Sequence, residues 1–544
     1  MIAVATCQRL PGSRPYIIGI TAVLQEWLVV AKSQAFDCTL SQTVLSSQKN
    51  FTMKNIMLFI LAAAMLTGCN SGKKNKETTG TDKVAAIEVK NTGNVNYDQY
   101  FTGGTMRLDY FHTGNAKEEH FAVDQALMDG EWPGSRNQLI DKLELGLYYF
   151  EVADKETNTL LYSRGFASIF GEWQSTPEAD SVYGTFHESL RFPWPLKPVT
   201  IILKKRDAEN KFRVIWTTVV DPASRQVMKA VKPHTEKVDV IMQNGPAQEK
   251  IDLVILGDGY AKSEMEKFRR DAKRLTDALM TTEPFAARKN DFNVRAVETP
   301  AEASGVCKPH HNVYKRTPLS VHYSSFDSER YALTYDNRTV RDVASAVPYD
   351  FMVILINEQT YGGGGIYNLY TTVSADNKFA DYIMVHELGH HIAALADEYY
   401  TSSVAYEVPD IKVEPWETNI TAMFDKSKLK WKELVEPGTP LPTPWNKEAF
   451  DKYGYRVQVT RDSIRAALLP ESVMEELFVK QMAAEDSYFA GEKYKGKVGA
   501  FEGAGYTPKG LYRSQLDCIM FTRHQLFCKV CCRSLENVFD QYTK

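Results

Sequence analysis

The chain has 544 residues, enough for roughly two to four domains with substantial hydrophobic cores. Its 64 lysine and arginine residues against 68 acidic residues give a formal net charge of −4, so no overall positive field favours nucleic acid or an anionic membrane. Hydrophobic residues make up 44% and charged residues 24%, which excludes a mainly disordered or multi-spanning chain. We predict a folded multidomain protein that does not bind nucleic acid.

Residues 53–69 have the composition of a bacterial lipoprotein signal. A short positively charged start precedes an apolar run over 56–66 that is too short to span a bilayer, and small residues precede Cys69. We expect Cys69 to carry lipid and to anchor the protein in the outer membrane of the bacterial cell envelope, facing either the periplasm or the exterior. The alternative is a buried helix with an incidental cysteine. Residues 1–52 are interpreted as an extension upstream of the natural start.

Two segments that differ in composition follow the signal. Residues 70–85 are polar and lack apolar periodicity, which is typical of a flexible tether. Residues 86–230 contain short β-type runs separated by polar, Gly- or Pro-bearing breaks, which predict an all-β sandwich domain. Its histidines, such as His112 and His187, are scattered, and we expect them on a solvated face. The β-type runs are 106–111, 147–152, 160–164, 199–203 and 212–220.

Residues 236–544 show strands alternating with helices, the pattern of an α/β domain. An apolar run over 251–256 is followed by a stretch, 265–279, with apolar residues at spacings of three or four, and another apolar run covers 351–356. The glycine run at 362–365 lacks the Lys and Ser/Thr ending of a phosphate-binding loop. We interpret it as a mobile rim of a cleft, where an extended substrate could approach the backbone.

The motif that indicates chemistry is His-Glu-Leu-Gly-His at residues 386–390. On a helix, His386 and His390 lie one turn apart on one face, so both imidazoles can bind a single Zn²⁺. Glu387 adjoins the first histidine and is placed to accept a proton from water at the metal, as a general base does. The alternative is two histidines on an ordinary helix surface.

A catalytic zinc usually has three protein ligands, so a third is expected. Asp397 is the first candidate, with Glu398 or a more distant carboxylate as alternatives. On a straight helix Asp397 would lie roughly 10 Å beyond His390 along the axis, at 1.5 Å per residue. The helix must therefore end or bend within 393–396 if Asp397 is the ligand, although no Gly or Pro marks that position.

A second motif, Cys-Ile-Met at 518–520, is one form of the turn that places a methionine beneath the metal in metzincins. Four further motifs accompany it: Ile-Leu-Gly-Asp-Gly-Tyr at 255–260, Tyr-Gly-Gly at 361–363, the extended motif over 386–399 and Cys-x-x-Cys at 528–531. With this combination of motifs the chain resembles the IgA-peptidase family of zinc metallopeptidases, metallopeptidase family 64. The resemblance covers roughly residues 236 to 540. The preceding β-rich region resembles the domain that accompanies this family in Bacteroides-type lipoproteins.

The resemblance implies an α/β zincin (metzincin-like) catalytic domain preceded by an all-β sandwich domain. It also implies zinc on His386, His390 and Asp397, with Glu387 as the base. The predicted function is an exported zinc-dependent endopeptidase acting on a protein or peptide substrate, with Tyr399 or Tyr400 as candidate donors to the developing oxyanion. Two alternatives remain: a non-catalytic binding lipoprotein of the cell envelope, and a zinc hydrolase of cell-wall amide bonds.

Five of the eight cysteines lie after the predicted anchor: Cys307, Cys518, Cys528, Cys531 and Cys532. Export would permit a disulfide, and we expect one from Cys518 to Cys528 or Cys531. A metal site with His524 as a further ligand and free thiols are the alternatives.

Overall fold

A computed structural model describes residues 88–402 and 411–544. The predictions for 1–52 and 53–69, and that for the tether at 70–85, lie outside the described residues. All of the described residues belong to one compact unit. None of the helices in these ranges is both long enough and apolar enough to cross a membrane.

The N-terminal part consists of two four-stranded sheets. The strands are β1 Phe101–Gly114, β2 Glu119–Glu131, β3 Tyr148–Asp154, β4 Leu160–Phe166, β5 Gly184–Pro195, β6 Val199–Arg206, β7 Phe212–Val220 and β8 Val227–Met228, with short helices α1 Tyr97–Tyr100 and α2 Ile169–Trp173. The sheet orders are β5-β1-β2-β8 and β4-β3-β6-β7. All pairs are antiparallel except β2 with β8.

Buried side chains of the two sheets form a single hydrophobic core. Leu108 and Tyr110 of β1 share this core with Val152 of β3 and Ile201 of β6. The five β-type runs identified in the sequence fall on β1, β3, β4, β6 and β7, with Leu147 one residue before the start of β3. Alternate side chains of a strand, such as Leu108 and Tyr110, point into this core. This alternation explains why the strands could be predicted from the sequence.

The expectation that the histidines of this region face solvent is wrong for His112. This residue is 1% exposed, and its ring nitrogens lie 3.0 Å from Glu119 and 3.1 Å from Glu188. A buried histidine between two carboxylates stabilises the interior of the sheets and needs no solvent contact.

The C-terminal part is built around a six-stranded sheet. Its elements are β9 Val238–Met242, β10 Ile251–Asp258, α3 Met265–Leu279, β11 Phe292–Val297, α4 Asn337–Ala344, β12 Phe351–Ile356, β13 Gly363–Ile366, β14 Tyr370–Ser374 and α5 Ala380–Ala393. The order is β13-β14-β12-β10-β11-β9, with four parallel inner strands and an antiparallel strand at each edge. The inner strands β10 and β12 are buried along their whole length, as expected of parallel strands covered on both faces.

The remaining elements follow α5 in the chain, and the last of them, a helix, packs against α5. They are β15 Ile420–Thr421, α6 Lys447–Ala466, α7 Glu471–Ala490, β16 Phe501–Ala504, β17 Thr507–Arg513 and α8 Lys529–Thr543. The three short strands form a small sheet in the order β15-β17-β16.

Three of the four glycines of the run, at 363–365, lie in edge strand β13, and the expected mobility of this rim stays a prediction. The Gly363 N–H donates a hydrogen bond to the Arg330 carbonyl at 3.2 Å. A Cβ atom on Gly365 would lie 2.2 Å from the Glu387 carbonyl oxygen. Glycine is therefore needed at this position because the strand and helix α5 approach each other closely.

Polar contacts join the N-terminal sheets to the C-terminal part. Arg107 of β1 is 1% exposed and donates to Asp342 at 2.7 Å, while Asn337 donates to Ser189 at 2.8 Å. Buried charged contacts of this kind hold α4 against the N-terminal sheets and explain why the described residues form one compact unit.

Candidate metal centre and cleft

Helix α5 carries the His-Glu-x-x-His motif and is buried on nearly every side. It packs against β13 and β14 of the central sheet and against α3 and α8. A helix surrounded by protein carries apolar residues all round, as this one does. Its buried apolar side chains include Ile383, Met384, Val385, Leu388 and Ile392.

The helix ends at Ala393, so the chain reverses direction before Asp397. Ala394 has a left-handed φ of 50°, and its N–H donates to the His390 carbonyl at 2.9 Å. This geometry closes helices most often at a glycine, which pays no steric penalty there. The expectation that the helix ends within 393–396 is confirmed, with an alanine in the left-handed position.

The reversal brings three potential ligand atoms together. The Nε2 atoms of His386 and His390 are 3.2 Å apart, and Asp397 Oδ1 lies 3.1 Å from the first and 3.3 Å from the second. Nitrogen and oxygen ligands at tetrahedral positions around zinc are about 3.3 Å apart, given bonds of about 2.0 Å. The spacing of the three atoms therefore fits a single zinc ion.

Backbone carbonyl groups orient both imidazoles. His386 Nδ1 donates to the Ile519 carbonyl at 2.9 Å, and His390 Nδ1 donates to the Leu395 carbonyl at 2.5 Å. A proton on Nδ1 leaves the lone pair on Nε2, which is the usual arrangement of metal-binding histidines.

Asp397 is buried, and its environment favours a bound cation. Its Oδ2 accepts a hydrogen bond from the Tyr506 hydroxyl, whereas Oδ1 finds no hydrogen-bond donor among the described residues. Burial acts to raise the pKa of Asp397, but His390 and His386 hold it well below its usual value. Burial likewise acts to lower the pKa of His390, yet Asp397 raises it to about 9. The carboxylate thus attracts positive charge to the point where the three ligand atoms meet.

Asp397 and Glu398 face opposite sides of the chain. Glu398 is fully buried, and its Oε1 lies 3.7 Å from the Cys531 sulfur rather than at the histidines. Adjacent side chains of an extended segment point in opposite directions, which explains the separation. The structure therefore brings Asp397 to the histidines and takes Glu398 away from them.

Glu387 is half-buried and lines a cleft together with His386 and Tyr399. Its carboxylate lies within 4.8 Å of the histidine ligand nitrogens. One water molecule can bridge a gap of this size and hydrogen-bond to the carboxylate. The cleft gives a substrate access to this carboxylate.

The predicted methionine turn lies directly against α5. The Phe521 N–H donates to the Cys518 carbonyl at 2.8 Å, which closes a tight turn around the fully buried Met520. A Cβ atom on Gly389 would lie 3.0 Å from the Met520 sulfur, so this side chain packs closely on the helix backbone. The turn thus supports the helix between its two histidines.

The two tyrosines proposed as oxyanion donors differ in position. Tyr399 lines the cleft, and its hydroxyl accepts a hydrogen bond from Arg330 at 3.2 Å. Tyr400 is 4% exposed and donates to Asp451 at 2.7 Å. Only the first of the pair is placed to meet a substrate.

The neighbouring His391 points away from the motif, as its position on the helix predicts. Its Nε2 accepts a hydrogen bond from the Met352 N–H at 3.1 Å, and its Nδ1 donates to the Ile366 carbonyl at 2.9 Å. Both ring nitrogens are occupied by the central sheet, so this histidine has a structural role.

Three arginines of the cleft were missed by the sequence analysis. Arg330, Arg461 and Arg523 line it together, and they donate to the neutral groups of Tyr399, Ser402 and Gln481. No carboxylate of the described residues lies within 4.0 Å of any of these guanidinium groups. Burial, and then Arg523 and Arg330, lower the pKa of Arg461 to about 9. Because the three residues are far apart in sequence, no motif could have indicated the cluster.

The expected disulfide is not present among the described residues. Cys518, Cys528 and Cys531 are free, and the sulfur atoms of Cys518 and Cys531 are 3.7 Å apart. A disulfide needs about 2.05 Å between its sulfur atoms.

An HExxH helix whose two histidines meet a buried carboxylate beside a cleft indicates the class of metallopeptidases. Residues 240–539 match the family described as IgA Peptidase M64, and residues 96–217 match the family described as Peptidase M64 N-terminus. The chain belongs to the IgA peptidase M64 family, a metallopeptidase family. The resemblance inferred from the motifs is confirmed, whereas the Bacteroides-type lipoprotein assignment stays a prediction. No curated protein matches the chain.

Proposed function

We propose that this protein is a zinc-dependent endopeptidase with His386, His390 and Asp397 as metal ligands and Glu387 as general base. The observation that carries the proposal is the convergence of the three ligand atoms within 3.1–3.3 Å of one another. Two imidazoles and one carboxylate are a donor set that catalytic zinc prefers. We also propose that the C-terminal part is a metzincin-like zincin, on the support of the buried Met520 turn.

Zinc at this position would lower the pKa of water and polarise the carbonyl group of the scissile peptide bond. Glu387 accepts a proton from the attacking water and donates it to the leaving amine nitrogen. Tyr399, held by Arg330, is the candidate donor to the oxygen that becomes negative as the carbonyl carbon turns tetrahedral. The Ile519 and Leu395 carbonyls keep both imidazoles oriented throughout.

The proposed location is the cell envelope, with a lipid anchor at Cys69. Its support is the sequence of 53–69: a short positive start, an apolar run and small residues before the cysteine. The substrate would then be a protein or peptide that reaches the outer membrane.

We expect the purified protein to cleave an unfolded, alkylated protein substrate, and a zinc chelator to abolish the cleavage. Removal of the chelator and addition of zinc should restore it, because the metal supplies both the activated water and the polarised carbonyl. Peptide products are followed by mass spectrometry. Cleavage that persists in chelator would contradict the zinc mechanism. Release of fragments from purified cell walls without peptide-bond cleavage would favour the amide hydrolase, and binding without any cleavage would favour the binding lipoprotein.

The arginines of the cleft have no carboxylate of the described residues within 4.0 Å, and this leads us to propose that the substrate carries an acidic side chain. Replacing Arg461 by glutamine should lower kcat/KM for a glutamate-containing peptide by about 10- to 100-fold, since hydrogen bonds to charged groups contribute about 1.5–3 kcal/mol. The matched glutamine-containing peptide should change little. A peptide library with glutamate placed at each substrate position in turn shows at which position the enzyme prefers an acidic side chain.

The control is Arg270→Gln, because the Arg270 side chain is 70% exposed on α3. Equal losses for both peptides in Arg461→Gln would mean that this arginine supports the fold instead of selecting acidic substrates.

A further inference from the structure

A second cluster of metal-binding side chains lies behind the first site. It consists of Cys518, Cys528, Cys531 and Glu398, all of them buried. The four potential ligand atoms lie within 4.8 Å of one another. Three thiols and a carboxyl group gathered in an interior need partners, because buried polar groups without them are costly.

The distances between these atoms distinguish a metal site from a disulfide. The sulfur atoms of Cys518 and Cys531 are 3.7 Å apart, and the Cys531 sulfur lies 3.7 Å from Glu398 Oε1. Thiolates bound tetrahedrally to zinc at about 2.3 Å are about 3.8 Å apart, and a sulfur and an oxygen are about 3.6 Å apart. The observed spacing fits these values and is far from that of a disulfide.

Backbone N–H groups point at two of the three sulfur atoms. Cys528 is the N-cap of α8, and its sulfur accepts a hydrogen bond from the Cys531 N–H at 3.4 Å. The Cys518 sulfur in turn accepts one from the Cys528 N–H at 3.3 Å. Backbone N–H groups that point at sulfur favour thiolates, which are the form that binds a metal.

The carboxylate supplies the fourth ligand. Glu398 Oε1 accepts a hydrogen bond from Asn419 at 3.0 Å, while Oε2 is buried and has no hydrogen-bond partner among the described residues. His524, the ligand considered from the sequence, is occupied elsewhere, since its Nδ1 lies 2.8 Å from Asp517. The carboxylate and not the histidine therefore completes the set.

We propose that Cys518, Cys528, Cys531 and Glu398 bind a second zinc ion with a structural role. Four protein ligands fill the tetrahedron and leave no position for water, which is the property of a structural site. Each thiol releases its proton as the ion binds. The site is distinct from the proposed catalytic centre and does not depend on it.

The second ion would connect the segments that position the proposed catalytic ligands. Glu398 follows Asp397 directly, and its N–H donates to the Met520 carbonyl at 2.7 Å. Cys518 directly precedes Ile519, whose carbonyl orients the first histidine of α5. An ion that joins these two segments to α8 would therefore stabilise the geometry of the catalytic centre.

The test is the zinc content of the full chain, measured by elemental mass spectrometry after dialysis. We expect about two zinc ions per chain in the unaltered protein and about one in Cys528→Ser and in His390→Ala, because each change removes one site. The matched controls are Cys307→Ser and Cys532→Ser, which alter cysteines outside the cluster and should retain both ions.

Cobalt replacement separates this site from the catalytic one. Co²⁺ in His390→Ala should retain the intense near-ultraviolet absorption of sulfur-to-cobalt charge transfer, and Cys528→Ser should lose it. If Cys528→Ser fails to fold, X-ray absorption spectroscopy of the unaltered zinc protein tests the proposal instead. It should show sulfur atoms at about 2.3 Å from zinc. Zinc with only nitrogen and oxygen neighbours would overturn the proposal. So would a protein mass that shows a disulfide among these cysteines. If the catalytic proposal alone fails, the sulfur-bound ion remains.

Discussion

Replacing Glu387 by glutamine is expected to lower kcat for peptide hydrolysis by about 100- to 10,000-fold, the usual contribution of a general base. Glutamine has nearly the same shape but cannot accept the proton of the attacking water. Because Glu387 is not among the three proposed ligands, the variant should bind zinc as the unaltered protein does. Peptide cleavage and zinc content are measured on the same preparation.

The control for this change is Glu266→Gln on α3, whose side chain is 80% exposed and lies away from the cleft. It should retain full activity. An active Glu387→Gln variant would remove this residue from the mechanism. A variant that is inactive because it has lost zinc would show that Glu387 supports the metal instead.

Replacing a proposed ligand should remove both the metal and the activity. Loss of a group that only supports a metal ligand lowers metal affinity by about 10- to 100-fold. For Asp397→Asn and His390→Ala we expect a larger fall in zinc affinity. The physical reason is that each change removes one of three donors from a site that needs all of them. Competition with a fluorescent zinc chelator measures the affinity.

His391→Leu is the matched control for the ligand variants. It removes a histidine of the same helix that bonds to the Met352 N–H and the Ile366 carbonyl. The free energy of unfolding should fall by about 1–3 kcal/mol, since buried backbone groups lose their partners, while zinc affinity is retained. Unchanged zinc affinity in Asp397→Asn would place the third ligand elsewhere.

Local patterns allowed much of the secondary structure to be predicted. The apolar spacing over 265–279 corresponds to α3, which begins and ends at these residues. The run over 351–356 corresponds to β12 with the same bounds. Such patterns reflect the burial of one helix face or of a whole strand, and both are properties of neighbouring residues.

Other features escaped prediction because they depend on residues far apart in the chain. The glycines at 363–365 form part of strand β13, and helix α5 lies so close to Gly365 that only glycine fits there. His112 is buried because Glu119 and Glu188 come from two neighbouring strands. Neither contact leaves a period or a motif in the sequence.

The sequence by itself determined the helix that carries two of the proposed metal ligands: a spacing of four residues places His386 and His390 on one face whatever surrounds them. It also limited the proposed third ligand to a few carboxylates and, if that ligand is Asp397, required the helix to end or bend within 393–396. Only the tertiary structure shows that Asp397, and not Glu398, lies beside the two histidines, because the left-handed Ala394 sets the direction in which the chain returns. The same reversal sends the next carboxylate to three cysteines, since adjacent side chains of an extended segment point to opposite sides.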